Sequence, residues 1–283
     1  MAFERLDSAH YTQHASPTFV DNKSLYSVLD SLSFKANLLL EGPKGSGKTL
    51  AIASYCATRK LPALTVDCSE DLRRGQLVGT FVLRGEHTPF ILGPLTTAIE
   101  VANELGQCVL ILEEINTLTP QAQKILNPLT DWRRCLEVPE AQHVFRLKPE
   151  ARLWVTGTMN SAGYAGVYSL NEDLKSRFRI VPVSYPSITD ERAILASCLA
   201  QEGMTPDPTF TGKLLTLAQE SRQKDVSYAL STRDLVQIMC DREYIGEPRA
   251  LFLAAGKFEG TDRDWAAKRI KSIFSTDLDK LAM

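Results

Sequence analysis

The sequence predicts an α/β fold: a parallel sheet sandwiched by helices, followed by a separate all-helical region. Three observations carry this expectation. Short apolar runs alternate with helical segments between residues 36 and 183, which suggests crossover connections in a parallel sheet. The run Cys108-Val-Leu-Ile-Leu112 is apolar at every position, as a strand buried on both faces must be. After Pro186 the strand signal stops while helical periodicity continues.

Residues 1–36 read as a mixed N-terminal segment with Pro17, then a helix from Asp21 through Leu25, Val28, Leu29 and Leu32 at helical spacing. Predicted strands follow at 36–40, 63–66, 108–112, 152–156 and 179–183. Residues 134–138 and 144–147 alternate in polarity around a polar turn, the pattern of a hairpin. Ser187-Ile-Thr-Asp190 is a helix start, and Gly203 the matching stop. Further helices are expected at 210–221, 232–241, 248–257 and 262–274. The division predicted is an α/β domain over 1–184 and an all-helical domain over 185–283.

Composition narrows the function classes. With 32 Lys plus Arg against 34 Asp plus Glu the net charge is −2, far from the positive balance that non-specific nucleic-acid binding rests on. A length of 283 residues allows roughly two domains of ~150 residues each, with a core that needs no disulfides. The six cysteines, at 56, 68, 108, 135, 198 and 240, offer no Cys-x-x-Cys framework, so a reduced cytoplasmic setting is expected. No apolar run approaches the ~18 residues of a membrane span.

The strongest motif is Gly42-Pro43-Lys44-Gly45-Ser46-Gly47-Lys48-Thr49, a G-x-x-x-x-G-K-[ST] pattern directly after a predicted strand and before a helix. The glycines let backbone N–H groups turn toward phosphate oxygens, Lys48 neutralises phosphate charge, and the Thr49 hydroxyl reaches Mg²⁺. A second strand ends in Glu113-Glu114. Two carboxylates emerging there can divide the work, Glu113 holding hydrated Mg²⁺ and Glu114 polarising the attacking water; the plainer alternative is an acidic helix start. Asn160 is an amide at the mouth of another strand, placed to orient water or phosphate or simply to form a turn. Arg177 closes a helical stretch, where it either complements the helix dipole or reaches a neighbouring subunit's phosphate; Arg179 is a weaker competitor. Arg233 sits in a first turn, electrostatically unfavourable for a cation, so a phosphate partner is expected. His10 and His14 have metal-ligand spacing but no Glu and no third ligand.

Together these residues resemble a ring-forming AAA+ ATPase of the MoxR type, in the dynein- and midasin-related clade and closest to its CbbQ/NorQ/GvpN-like branch. Asp71-Leu-Arg-Arg-Gly-Gln-Leu-Val-Gly79 with Phe90-Ile-Leu-Gly-Pro-Leu95 resembles the family's helix 2 insert. Thr158-Met-Asn160 resembles sensor 1, Leu170 to Phe178 the arginine-finger segment, Ser231-Thr-Arg233-Asp234 sensor 2, and the 134–147 hairpin the pre-sensor 1 hairpin. The resemblance implies an ATP- and Mg²⁺-dependent homo-oligomeric ring, a hexamer, that remodels or activates a client protein, with a von Willebrand factor A domain adaptor and no membrane partner. It also makes Phe81, Leu83, Arg84 and Phe90 pore-facing candidates, with ordinary loop packing as the alternative.

Most relatives carry Asp-Glu where this chain has Glu113-Glu114, one methylene longer at the metal position. Two other function classes compete. A nucleic-acid motor akin to GTP-using restriction translocases would use the basic clusters at Arg133-Arg134 and Lys268-Arg269-Lys271. A small-molecule P-loop kinase would have no use for a trans arginine or a long helical lid.

Overall fold

The computed structural model describes residues 3–4, 24–160, 168–224 and 226–278. The expected helix start at Asp21 and the His10/His14 pair lie outside them. The first compact unit comprises Met1–Pro43 and Gly47–Ser184. It runs β1 (Phe3–Glu4), α1 (Ser24–Leu32), β2 (Asn37–Gly42), α2 (Lys48–Thr58), β3 (Ala63–Asp67), α3 (Arg74–Val78), β4 (Gly79–Phe81), β5 (Phe90–Leu92), α4 (Pro94–Leu105) and β6 (Gln107–Glu113). It continues through α5 (Pro120–Ile125), α6 (Asn127–Thr130), β7 (Cys135–Val138), β8 (His143–Arg146), β9 (Arg152–Asn160), α7 (Glu172–Lys175) and β10 (Phe178–Pro182).

Five of these strands form one sheet in the order β10-β2-β9-β6-β3, every neighbouring pair parallel. The pleat sends successive side chains to opposite faces, and both faces are apolar. Leu38 and Leu40 join Val109, Ile111 and Trp154 in one cluster with Ile52 of α2. Leu39 joins Leu110, Leu112, Leu153 and Val155 in the other, with Ile99 of α4. A sheet covered on both faces explains the uninterrupted apolar runs.

The five strands are those the sequence predicts, but β2, β6 and β9 reach further, to Gly42, Glu113 and Asn160. Apolarity ends before hydrogen bonding does: Gly42 is still paired with Asn160, and Asp67 with Glu113. Of the extra residues, Met159 still packs in the core, whereas Glu41, Glu113 and Asn160 are polar and stay in line through the ladder.

The region resembling the helix 2 insert carries α3 and the antiparallel pair β4–β5, and β1 adds to β5 in parallel to give a small sheet of order β1-β5-β4. Phe90 is 1% exposed and meets Phe81 edge-on at 5.1 Å between centroids. Phe90 therefore packs in the core and is not a pore-facing side chain, whereas Leu83 is 75% exposed. The predicted hairpin is β7–β8, closed by a turn with Gln142 at φ 47.

The second unit comprises Lys44–Ser46 and Tyr185–Met283, so the tip of the glycine-rich loop groups with it. The Tyr185 hydroxyl donates to the Lys44 carbonyl at 3.2 Å. Its helices are α8 (Ile188–Gln201), α9 (Pro208–Gln223), α10 (Thr232–Ile245), α11 (Glu247–Ala255) and α12 (Gly260–Phe274), packed around Leu199, Phe210, Leu214, Ile238, Leu251 and Ile270. Gly203, at φ 72, follows α8 as the predicted stop. Glu191, 1% exposed, is held by both Nη atoms of Arg222 at 2.8 and 2.7 Å and by the Thr232 hydroxyl at 2.6 Å. A buried charge so fully bonded costs little to keep and much to break.

Ser231 and Asp234 form a reciprocal capping box at the start of α10, and Lys257 and Tyr228 also bond the Asp234 carboxylate. Burial pushes this carboxyl up, but Lys257 and Ser231 outweigh it and hold it below the usual 3.8. A depressed pKa stabilises the fold above the unfolded value, and that gain disappears as pH falls through the folded one. Asp234→Asn is expected to cost about 1 kcal/mol near neutral pH. The deficit should close as pH drops below 3.8, which thermal unfolding at pH 7 and pH 3 will read; a deficit independent of pH would contradict the assignment.

Candidate active site

Parallel strands end together, so the C-terminal edge of the sheet gathers the segments that leave β2, β6 and β9. From β2 the chain turns through Gly42. A Cβ on Gly42 would lie 2.0 Å from the Val183 carbonyl oxygen, so only glycine passes there. Gly47, left-handed at φ 85, then starts α2 with no side-chain cap. The first-turn N–H groups of α2 thus meet no capping side chain, the arrangement that binds an anion. The Ser46 hydroxyl is buried with no hydrogen-bond partner among the described residues.

Lys48, 7% exposed, donates to the carbonyls of Gly42 at 3.0 Å and Pro43 at 2.8 Å, and to Asn160 Oδ1 at 3.1 Å. Three acceptors match the three protons of an ammonium. Burial lowers the Lys48 pKa, and the negative charge of Glu114 opposes that shift.

Asn160, at the end of β9, turns its other amide end to Glu114, Nδ2 donating to Oε1 at 3.2 Å. A donor-only ammonium on one side and an acceptor carboxylate on the other settle which end of the amide is which. Lys48, Asn160 and Glu114 thus form one hydrogen-bonded row. Glu114 adopts φ 49, ψ 47, uncommon for a residue with a Cβ and characteristic of functional positions. Its N–H donates to the Thr158 hydroxyl at 3.1 Å.

Glu113, half-buried, ends β6 with its carbonyl bonded to the Cys68 N–H at 3.0 Å. Burial first, and then the negative charges of Asp67, Glu113 and Glu114, push the Cys68 thiol up to about 12. Thr49, also half-buried, is the second residue of α2. Among the described residues no group of three or more His, Cys, Asp or Glu side chains could cage a metal. One hydroxyl and one carboxylate fit Mg²⁺, which keeps several waters and takes substrate phosphates as ligands.

Within the first unit, one predicted site residue, Arg177, is not part of this cluster. Arg177 immediately precedes β10, whose first residue, Phe178, pairs with Asn37 at the start of β2. Gly42 lies five residues further along β2, about 16 Å away at ~3.3 Å per residue. Arg177 bonds Asp131 at 3.2 Å, and its buried Nε has no partner among the described residues. Arg179 is exposed. Arg233, in the second unit, is exposed in the first turn of α10 and makes no ion pair with a described residue.

Sequence reasoning missed two supports. Thr158 fixes the Glu114 backbone, and Asn116 Nδ2 donates to the Asn160 carbonyl at 3.3 Å. Thr158 lies two residues before Asn160, and Asn116 two after Glu114; these offsets were the available signal.

A model of the AAA domain (dynein-related subfamily) matches residues 37–178. YojN, an uncharacterized protein of Bacillus subtilis, is 31% identical over 258 residues, covering 88% of this chain and 81% of its own. An uncharacterized protein of Staphylococcus haemolyticus is 29% identical over 238 residues, covering 81% and 84%. Among solved structures, NtrX from Brucella abortus superposes with a TM-score of 0.55 at 17% identity over 79% of this chain, which spans 50% of NtrX; NtrX has also been solved in complex with ADP. A RuvB mutant from Thermotoga maritima gives 0.54 at 13% identity, over 94% of this chain and 75% of its own. The chain belongs to the dynein-related subfamily of AAA domains, and its parallel sheet with the glycine-rich loop is an AAA+ ATPase domain.

Proposed function

We propose that this protein binds ATP with Mg²⁺, hydrolyses it within a homo-oligomeric ring, and uses the cycle to remodel or activate a client protein. The observation that carries the proposal is the Lys48–Asn160–Glu114 row beside the uncapped start of α2. Lys48 and the first-turn N–H groups take the phosphates. Thr49 and Glu113 would hold Mg²⁺, which when bound would neutralise charge developing in phosphoryl transfer. Glu114 accepts a proton from water, and Asn160 orients the groups on either side of it. The ADP complex of NtrX supports an adenine nucleotide as ligand.

Arg177, at the far end of the sheet, is too distant to serve its own loop, which supports a role toward a neighbouring copy's triphosphate. Arg233 is assigned to the same chemistry from the helical unit. The exposed Leu83 and the 44% exposed Val144 on the two hairpins are candidate client contacts. A MoxR-type activase, hexameric, cytoplasmic and served by a von Willebrand factor A domain adaptor, is the finer form of the proposal and rests on the resemblance. No helix among the described residues is long and apolar enough to cross a membrane. The basic clusters weigh against a nucleic-acid motor: Arg133 pairs with Asp131, Arg269 with Glu220 and Lys271 with Asp277.

Glu114→Gln is expected to bind ATP normally and hydrolyse it roughly 10²-fold or more slowly, accumulating an assembled ring that retains the client in a pull-down. Turnover at the wild-type rate would remove Glu114 from the chemistry. Arg177→Ala should keep ATP affinity by calorimetry yet lose roughly 10³-fold in kcat. Mixing it with Lys48→Ala subunits, which bind no ATP, should restore activity; no recovery in mixed rings would place Arg177 in its own subunit's function.

A further inference from the structure

Arg177 is anchored twice. Its carbonyl accepts from Asn37 Nδ2 at 3.1 Å, and the same amide nitrogen donates to the Thr130 carbonyl at 2.8 Å. Arg134 donates to Asn37 Oδ1 at 3.3 Å, which sets the orientation of that buried amide. The backbone at Arg177 is thereby tied to the residue just before Asp131. The side chain is held as well: Nη1 lies 3.2 Å from Asp131 Oδ2, and the Asp131 side chain is only 7% exposed.

We propose, resting on the trans role of Arg177 above, that Asp131 is a positioning residue that aims the Arg177 guanidinium at the phosphates held by the neighbouring copy. A long side chain loose in solvent must be caught and ordered at every turnover, whereas one already aimed has met that entropic cost in folding. Asp131 also has a second cation. Arg133 donates to its carboxylate through the backbone N–H at 2.9 Å, Nε at 3.2 Å and Nη2 at 2.7 Å. When Arg177 shifts toward a phosphate, Arg133 keeps the carboxylate paired, so no buried charge is stranded. The pair directs the arginine without trapping it. A purely local role, with Asp131 only shaping the turn after α6, would act through Arg133 and not through Arg177.

The test uses the full chain in assembled rings. Asp131→Asn should bind a fluorescent ATP analogue with wild-type affinity and assemble normally, while kcat falls roughly ten- to a hundred-fold with KM unchanged. Mixed with Lys48→Ala subunits it should regain turnover, because its own intact loop is then served by a correctly aimed arginine from the neighbour. Arg133→Gln, which leaves the Asp131–Arg177 pair and the backbone N–H donor to Asp131 in place, should lose clearly less kcat than Asp131→Asn. Wild-type kcat in Asp131→Asn, a loss not recovered on mixing, or an equal loss in Arg133→Gln would each overturn the proposal. Should Asp131→Asn not fold, Asp131→Glu carries the test: its longer carboxylate displaces the guanidinium, so a kcat loss recovered on mixing supports the role and wild-type kcat overturns it. If Arg177→Ala itself turns over at the wild-type rate, the trans reading fails; if Arg177→Ala is inactive and Asp131→Asn fully active, only the positioning role fails.

Discussion

Parallel register is the constraint on which everything else in the first unit rests. Each of the five strands is locked to its neighbours by a ladder and clamped between two apolar layers. A slip of one residue would send every inward leucine on one face to the other, and here both faces are full, so no alternative register is tolerated. The strand ends therefore fall where packing puts them. Gly42 faces Asn160 and Asp67 faces Glu113 because the apolar stretches of the same strands, Leu38 to Leu40 among them, have already settled the register.

That order also sorts charge. The C-terminal edge carries Asp67, Glu113 and Glu114, whose field adds to burial at Cys68, and the charge of Glu114 also acts on Lys48. The opposite edge carries Arg177 just ahead of β10 and Arg134, held by the Asn37 amide. One molecule thus presents carboxylates at one end of its sheet and guanidiniums at the other. In the proposed ring, such unlike ends meet in a heterologous contact that closes on itself.

The apolar runs betrayed the five strands, and the glycine-lysine pattern and the Glu113-Glu114 pair marked the candidate site, because those signals are local. What stayed hidden is non-local. Asn37 reads as an unremarkable polar residue at a strand start, yet its partners Thr130 and Arg177 lie 93 and 140 residues away. The left-handed backbone at Glu114 has no composition signal, since it is held by Thr158 from another strand. Phe90, a pore candidate by resemblance, is buried because Phe81 folds back on it across a hairpin. The loop tip Lys44–Ser46 groups with the helical unit, which no linear division of the chain anticipates.

The amide of Asn160 has a final consequence. Its acceptor end is occupied by Lys48 and its donor end by Glu114, so the two cannot change independently. An anion that draws the ammonium away releases one end of the amide and with it the restraint on the carboxylate. In the proposed cycle, loading of the loop would then reach Glu114 across a single side chain, without any strand moving. That coupling would rest on a residue type whose two ends differ only in the direction of their hydrogen bonds.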